Sequence, residues 1–223
     1  MNYPISEIFF SLQGEGPLTW NPSIFLRFWW CNLKCHWCDS KYSWLHTELK
    51  KIITLEQVLE KINEFPQCTH IVFTGGEPSL FQKHIRELRE KLPHYTFEIE
   101  TNGSRKLDAS LFDQINVSYK LVSSGNESYE MMPTPSWMLH EDVPANICWK
   151  FVCGSQEDLD EILSLQDKYL IDPEMIYIMP LGTTAESQLH SDNTKFCVDA
   201  CMKYWFKLCI RTHILLWWDR MWV

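Results

Sequence analysis

Apolar and polar positions along this chain follow two periods, with short strand-like runs separated by longer stretches of helical spacing. Ile24–Arg27 reads as a strand. Thr54-Leu55-Glu56-Gln57 carries the residues of a capping box and opens a helix to about Glu64. His70–Thr74 is a short apolar strand ending in Gly75-Gly76, and a helix follows from about Ser79 to Lys91. Thr96–Glu100 is the next strand, ending at Thr101-Asn102-Gly103, and Asn116–Val122 is another. Ser123–Pro144, with three prolines, reads as a long irregular insertion. Cys148–Val152 is a strand, Ser155–Tyr169 a helix with acidic residues in its first turn, and Met175–Met179 a strand. Asn193–Tyr204 is a helix and Leu208–Leu216 a final strand region. Strands alternating with helices predict a parallel α/β sheet. The units number about six or seven, short of the eight of a full barrel. With no repeat, low-complexity stretch or linker, residues 1–223 are read as a single domain interrupted at about 123–144. In such folds chemistry gathers at the C-terminal ends of strands. Gly75-Gly76-Glu77, Glu100-Thr101-Asn102-Gly103 and Ser118-Tyr119-Lys120 all fall there.

Composition narrows the class. Hydrophobic residues make up 45% and charged residues 22%, as in ordinary globular proteins. No run approaches the 18 apolar residues of a membrane span. The N-terminus lacks the basic and apolar regions of a secretory signal, so a cytoplasmic protein is expected. A net charge of −9 lacks the basic footprint of a nucleic-acid binder, yet leaves room for a small anion held by local cations. Nine cysteines, an odd number without a signal peptide, read as reduced thiols or metal ligands. Cys197 and Cys201 share a helical face and read as buried thiols. Cys148 and Cys153 have opposite strand parity and do not face together.

Three thiols cluster in Cys31-Asn-Leu-Lys-Cys35-His-Trp-Cys38. A structural zinc ion takes four ligands; His36 is the nearest fourth, but it adjoins Cys35, which makes convergence awkward. Three cysteines instead leave one iron of a four-iron cluster without a protein ligand, open to a chelating substrate. Zinc and plain packing stand as the alternatives.

The C-x3-C-x2-C spacing with Trp37 before the third cysteine resembles the signature of radical S-adenosylmethionine enzymes. In that superfamily the open iron is chelated by S-adenosylmethionine, whose reductive cleavage releases a 5′-deoxyadenosyl radical. Thr74-Gly75-Gly76-Glu77-Pro78 resembles the superfamily's glycine-rich element. There glycine allows close backbone approach, and carbonyls or Glu77 would accept from the methionine ammonium. Several further segments, in this order, resemble the 7-carboxy-7-deazaguanine synthase family: Glu7-Ile8-Phe9, Ser11–Gly16, Phe25-Leu26-Arg27, Cys38–Tyr42, Glu100–Gly103, Ser118-x-Lys120-Leu121, Lys150-Phe151-Val152 and Met179-Pro180.

That resemblance implies an α/β fold, a shortened (partial) β/α barrel of the radical SAM type, and usually a homodimer. It implies a lyase of 7-deazapurine (queuosine) biosynthesis. Hydrogen is taken from C6 of 6-carboxy-5,6,7,8-tetrahydropterin, the ring contracts, ammonia leaves and 7-carboxy-7-deazaguanine results. The implied cofactors are a 4Fe-4S cluster on Cys31, Cys35 and Cys38, S-adenosylmethionine and magnesium. A low-potential donor such as flavodoxin or ferredoxin would supply the electron. Leu12, Gln13, Gly14, Arg27 and Thr74 would bind substrate, with the Gln13 amide on the heterocycle edge and Arg27 on the carboxylate. Trp37, Asp39, Gly76, Ser118 and Lys120 would bind S-adenosylmethionine. Ser40, where the family usually has Thr, would offer magnesium an oxygen ligand, and Tyr119 stands where the family usually has Pro. Two other readings remain: a radical enzyme that activates a partner protein, and a non-enzymatic metal-binding module. Asp39-Ser40 and the Leu12–Gly16 segment weigh against the first, the other strand-end motifs against the second.

One imbalance stands apart. The 223 residues hold 8 Gly, about half the usual share, and 11 Trp. Trp20, Trp30, Trp205, Trp218 and Trp222 stand where the resemblance leads one to expect glycine. A single cause would explain all five, namely UGA codons translated as tryptophan in a lineage that reads them as glycine.

Overall fold

The computed structural model describes residues 2–46, 50–126 and 146–217, and the alternating runs assemble into one open sheet of nine strands. In chain order these are β1 (Asn2–Leu12), β2 (Pro22–Phe28), β3 (Lys51–Thr54), β4 (His70–Gly75), β5 (Thr96–Thr101), β6 (Gln114–Tyr119), β7 (Ile147–Cys153), β8 (Ile176–Pro180) and β9 (Lys207–Leu208). Their spatial order is β3-β1-β2-β4-β5-β6-β7-β8-β9. Every pair from β2 to β9 is parallel, while β1 runs antiparallel to both β2 and β3. The helices are α1 (Tyr42–Leu45), α2 (Leu55–Asn63), α3 (Gln82–Lys91), α4 (Gln156–Tyr169), α5 (Ala185–Leu189), α6 (Asp192–Tyr204) and α7 (Thr212–Trp217). None of the described helices is long and apolar enough to cross a membrane.

Strand parity sorts the side chains. On β7, Trp149, Phe151 and Cys153 join the main core with Ile115, Val117, Ile162, Ile178 and Cys197. Cys148, Lys150 and Val152 take the other face, so Cys148 and Cys153 do point apart. Cys197 and Cys201 are buried, as expected of core thiols. The Thr54 capping box is formed: its side chain accepts from Gln57 N, and the Gln57 side chain accepts from Thr54 N.

Several sequence expectations need correction. The helix expected from Ser79 opens as a 3-10 turn, Pro78–Phe81, because Glu77 caps Ser79 N at 2.9 Å and Pro78 fixes the first turn. The strand expected to end at Val122 ends at Tyr119, and Val122–Ser124 forms a 3-10 turn closed by Gly125 at φ 73°. The final region over Leu208–Leu216 is strand only at Lys207–Leu208, and Thr212–Trp217 is helix. A short apolar run such as Ile214–Trp217 fits either period; here the helix buries Ile214 and leaves Leu216 exposed. Strands β1 and β3 and helices α1 and α5 were not anticipated. Strand β1 has no clean alternation: Ile5, Ser6 and Glu7 are all buried across a bulge. Residues 127–144 of the expected insertion lie outside the described residues, as do Trp218 and Trp222.

Candidate active site

The cysteine loop leaves the end of β2 and crosses over the end of β4. The crossing is tight: Gly76 N donates to Phe28 O at 3.1 Å and Glu77 N to Trp30 O at 2.8 Å. A Cβ on Gly75 would collide with Phe28 backbone, and one on Gly76 with Trp30 O. Gly75-Gly76 is therefore required first by chain crossing, whatever it also offers a ligand. Glu77 is fully buried, and its carboxylate accepts from Thr101 Oγ1 (2.6 Å), Asn102 N (2.6 Å) and Ser79 N (2.9 Å). Glu77 thus clamps the end of β4 to that of β5, which corrects its expected part in receiving an ammonium.

Cys31, Cys35 and Cys38 wrap Leu33. Burial pushes the Cys31 thiol up to about 12 and raises Cys35 as well, so a cationic centre is what would hold them as thiolates. Tetrahedral zinc at about 2.3 Å from each sulfur would need thiols about 3.8 Å apart. Among the described residues the trio of ligand atoms that does lie within 4.8 Å of one another is instead Glu15, Asp39 and His213. Three thiols packed about Leu33 on one loop have the donor set of a multi-iron cluster with one iron left open. Just past β6, Lys120 Nζ donates to Ser118 O (2.6 Å) and Ser118 Oγ and lies 5.5 Å from the Trp37 ring centroid. That contact joins the strand end to the cysteine loop.

These groups border one cavity of about 530 Å³. The residues expected to hold the cluster, magnesium, substrate or S-adenosylmethionine line it: Leu12, Gln13, Gly14, Arg27, the three cysteines, Trp37, Asp39, Ser40, Thr74, Gly76, Ser118 and Lys120; Glu77 and His36 do not. Glu15, Glu100, Lys150, Arg211 and His213 line it too; sequence reasoning quoted the first three within motifs but gave none of the five a role.

The missed groups form its floor. Lys150, with 0% exposure, donates to Glu15 Oε2 at 2.6 Å and to Glu100 Oε2. Burial pushes Glu15 up, but the Lys150, His213 and Arg211 charges outweigh it and hold the carboxyl down at about 2. Glu100 is raised to about 7, chiefly by burial against the pull of Lys150, with Glu15 and Glu98 adding repulsion. Gln13 is locked by the same network. Its Nε2 donates to Glu98 Oε1 and to Glu100 Oε1 (3.3 Å), and its Oε1 accepts from Gly14 N (2.8 Å) and Glu15 N (3.3 Å). Its amide therefore shapes the Leu12–Glu15 backbone and is not free to read a heterocycle edge, contrary to expectation.

Arg27 bridges a buried carboxylate and the cavity wall. Its Nε lies 3.2 Å from Glu7 Oε1, while the guanidinium sits 5.7 Å from the Phe9 and Tyr42 ring centroids at the cavity wall. Ser40 Oγ lies 3.8 Å from Cys38 Sγ. Asp39 pairs with buried Arg211 at 3.0 Å, which draws the cysteine loop to the chain after β9. There Thr212 N donates to Gly14 O at 3.0 Å, and burial lowers the His213 pKa against the pull of Glu15 and Asp39.

Comparison with known proteins agrees with this arrangement. Residues 28–124 match the Radical SAM superfamily. A solved structure, QueE from Escherichia coli, superposes with a TM-score of 0.72 at 25% identity, covering 93% of each chain. The 7-carboxy-7-deazaguanine synthase of Escherichia coli K12 is 29% identical over 96% of this chain and 97% of its own. That of Pyrobaculum aerophilum is 30% identical over 96% and 94%, and that of Halobacterium salinarum 32% identical over 97% and 91%. With cysteine loop, glycine crossing and strand ends in one cavity, and likeness running through nearly the whole length, the chain belongs to the 7-carboxy-7-deazaguanine synthases.

Proposed function

We infer that this cavity carries out its family's reaction, converting 6-carboxy-5,6,7,8-tetrahydropterin to 7-carboxy-7-deazaguanine with loss of ammonia. The observation that carries the reading is the convergence of three thiols, Arg27, Thr74 and the Ser118–Lys120 strand end on one cavity of about 530 Å³. Cys31, Cys35 and Cys38 hold the 4Fe-4S cluster. When bound, the cluster and S-adenosylmethionine together supply the electron and the adenosyl group from which the hydrogen-abstracting radical comes.

The chain's own residues bind and orient. Trp37, Asp39, Gly76, Ser118 and Lys120 seat S-adenosylmethionine beside the cysteine loop. Arg27, fixed between two rings and a buried carboxylate, receives the substrate carboxylate, because a planar guanidinium pairs with it bidentately. Thr74 offers a hydroxyl at the end of β4. Leu12 and Gly14 line the pterin through the backbone that Gln13 holds in place. Ser40 gives magnesium an oxygen ligand. The chain works as one domain and as a homodimer, fed electrons by a flavodoxin or ferredoxin.

The test is anaerobic cluster reconstitution followed by incubation with S-adenosylmethionine, reductant and the carboxypterin. Formation of 7-carboxy-7-deazaguanine is expected. Release of 5′-deoxyadenosine without any deazapurine would instead favour action on a partner protein.

A further inference from the structure

We propose that positions 20, 30 and 205, written here as tryptophan, are glycine in the protein the cell makes. Four non-glycine residues among those described have positive φ, and three are these tryptophans: Trp20 at 78°, Trp30 at 103° and Trp205 at 65°. None of the other described tryptophans, Trp29, Trp37, Trp44, Trp149 and Trp217, does. Positive φ is uncommon for any residue with a Cβ and an outlier for a bulky one. At 103°, Trp30 lies beyond the left-handed helical region altogether.

Nor do the side chains compensate. Trp20, Trp30 and Trp205 are 53%, 50% and 72% exposed. Among the described residues only Trp30 of the three has a ring partner, a tilted contact with Trp29 at 5.6 Å.

Each position is instead a turn that the backbone needs. Trp20 N donates to Gln13 O at 2.8 Å, closing the β1–β2 connection around the locked Gln13. Residue 30 precedes Cys31 and presents the carbonyl that Gly76 packs against. Trp205 follows α6, where Phe206 N donates back to Cys201 O at 3.1 Å, the bond pattern that places glycine at this position. Leu170 ends α4 the same way without glycine, so one such cap proves little. Coincidence of three in one residue type, in a chain short of glycine, points to a codon read under the wrong table.

The codons decide it. UGA at 20, 30 and 205, with UGG at 29, 37 and 149, is expected; UGG at any of the three overturns the assignment there. Thermal melting of the chain as written against a Trp20→Gly/Trp30→Gly/Trp205→Gly variant is the physical counterpart. Relief of about 1 kcal/mol per position predicts a Tm gain of roughly 2–4 °C each. A variant no more stable than its parent contradicts the backbone argument. Leu170→Gly supplies the comparison for an ordinary helix cap.

A separate observation concerns Asn126. Its Oδ1 accepts from Lys34 N at 2.8 Å, which fixes the amide, so Nδ2 points at Cys35 Sγ (3.1 Å) and Ser124 Oγ (3.1 Å). The strap is tied again by His36 N donating to Ser124 O at 2.9 Å. We infer that Asn126 raises the reduction potential of the cluster, since an N–H donor on a thiolate favours the more negative, reduced state. This rests on Cys31, Cys35 and Cys38 holding that cluster. A redox titration followed by electron paramagnetic resonance, with iron content measured alongside, tests it. Asn126→Leu and Asn126→Asp should both load iron normally and titrate at more negative potential. Unchanged potentials overturn this role alone, whereas a parent protein without a 4Fe-4S signal fails the underlying reading.

Discussion

Lys150 is the residue on which the interior of the cavity turns. A fully buried ammonium between two carboxylates survives because it is paired on both sides, and removing it leaves Glu100 facing Glu15 and Glu98 without its cation. Lys150→Met should therefore cost about 3–5 kcal/mol of stability near pH 8. The deficit should shrink towards pH 5. Without the cation Glu100, raised to about 7 even beside Lys150, titrates further above its unfolded value, so the folded state keeps a proton that the unfolded state has lost. Stability then falls as pH rises through that window, and denaturant unfolding at the two pH values reads the difference. At the other end of the cavity, Cys35→Ala should abolish the brown chromophore and turnover, while Cys201→Ala, in the core, should leave both. Full activity in a Cys35→Ala chain would remove the cluster from that loop. The cysteines, Arg27 and the strand-end hydroxyls were legible because their chemistry is local to a motif. Glu15 and Lys150 were not, since their roles arise only when 135 residues of separation close to 2.6 Å. A signal existed all the same: Glu98, Glu100, Asn116, Cys148 and Lys150 share parity within otherwise apolar strands.

Elements were legible where one period dominated. Helix α2 was marked by its capping box, and Thr54→Ala should cost about 1 kcal/mol, seen as a lower Tm with turnover intact, because α2 stands away from the cavity. The glycine crossing behaves differently. Gly76→Ala drives a methyl into Trp30 O and has no flexible side chain to displace, so it should lose bound iron together with stability. Iron content per chain after reconstitution checks it; normal loading would show that the crossing can shift. The ends of the sheet were least legible. Strand β1 buries both parities beside its bulge, and the run after β9 closed into a helix because Arg211 and Thr212 are held to Asp39 and Gly14. Neither constraint has a local sequence period.

At the scale of the molecule, the chain after β9 returns to the first loop, through Arg211 to Asp39 and Thr212 to Gly14, and completes the cavity wall. Arg211→Met should free Asp39 and raise the KM for S-adenosylmethionine more than it lowers kcat, a split that initial-rate kinetics reads directly. Ser40→Ala should weaken the magnesium dependence of turnover while leaving cleavage of S-adenosylmethionine partly in place. Unchanged kinetics at limiting magnesium would take Ser40 out of the metal site. The sequence by itself determined the parallel α/β order, the three-thiol loop, the glycine pair and the family, because each is written in contiguous residues or in a single period. It also marked the tryptophans that the backbone then singled out. The tertiary structure decided that Glu77 is a clamp, that the Gln13 amide faces inward, and that a buried lysine with two carboxylates forms the floor. Those outcomes depend on which strand lies beside which, and on what burial does to a charge once water is gone.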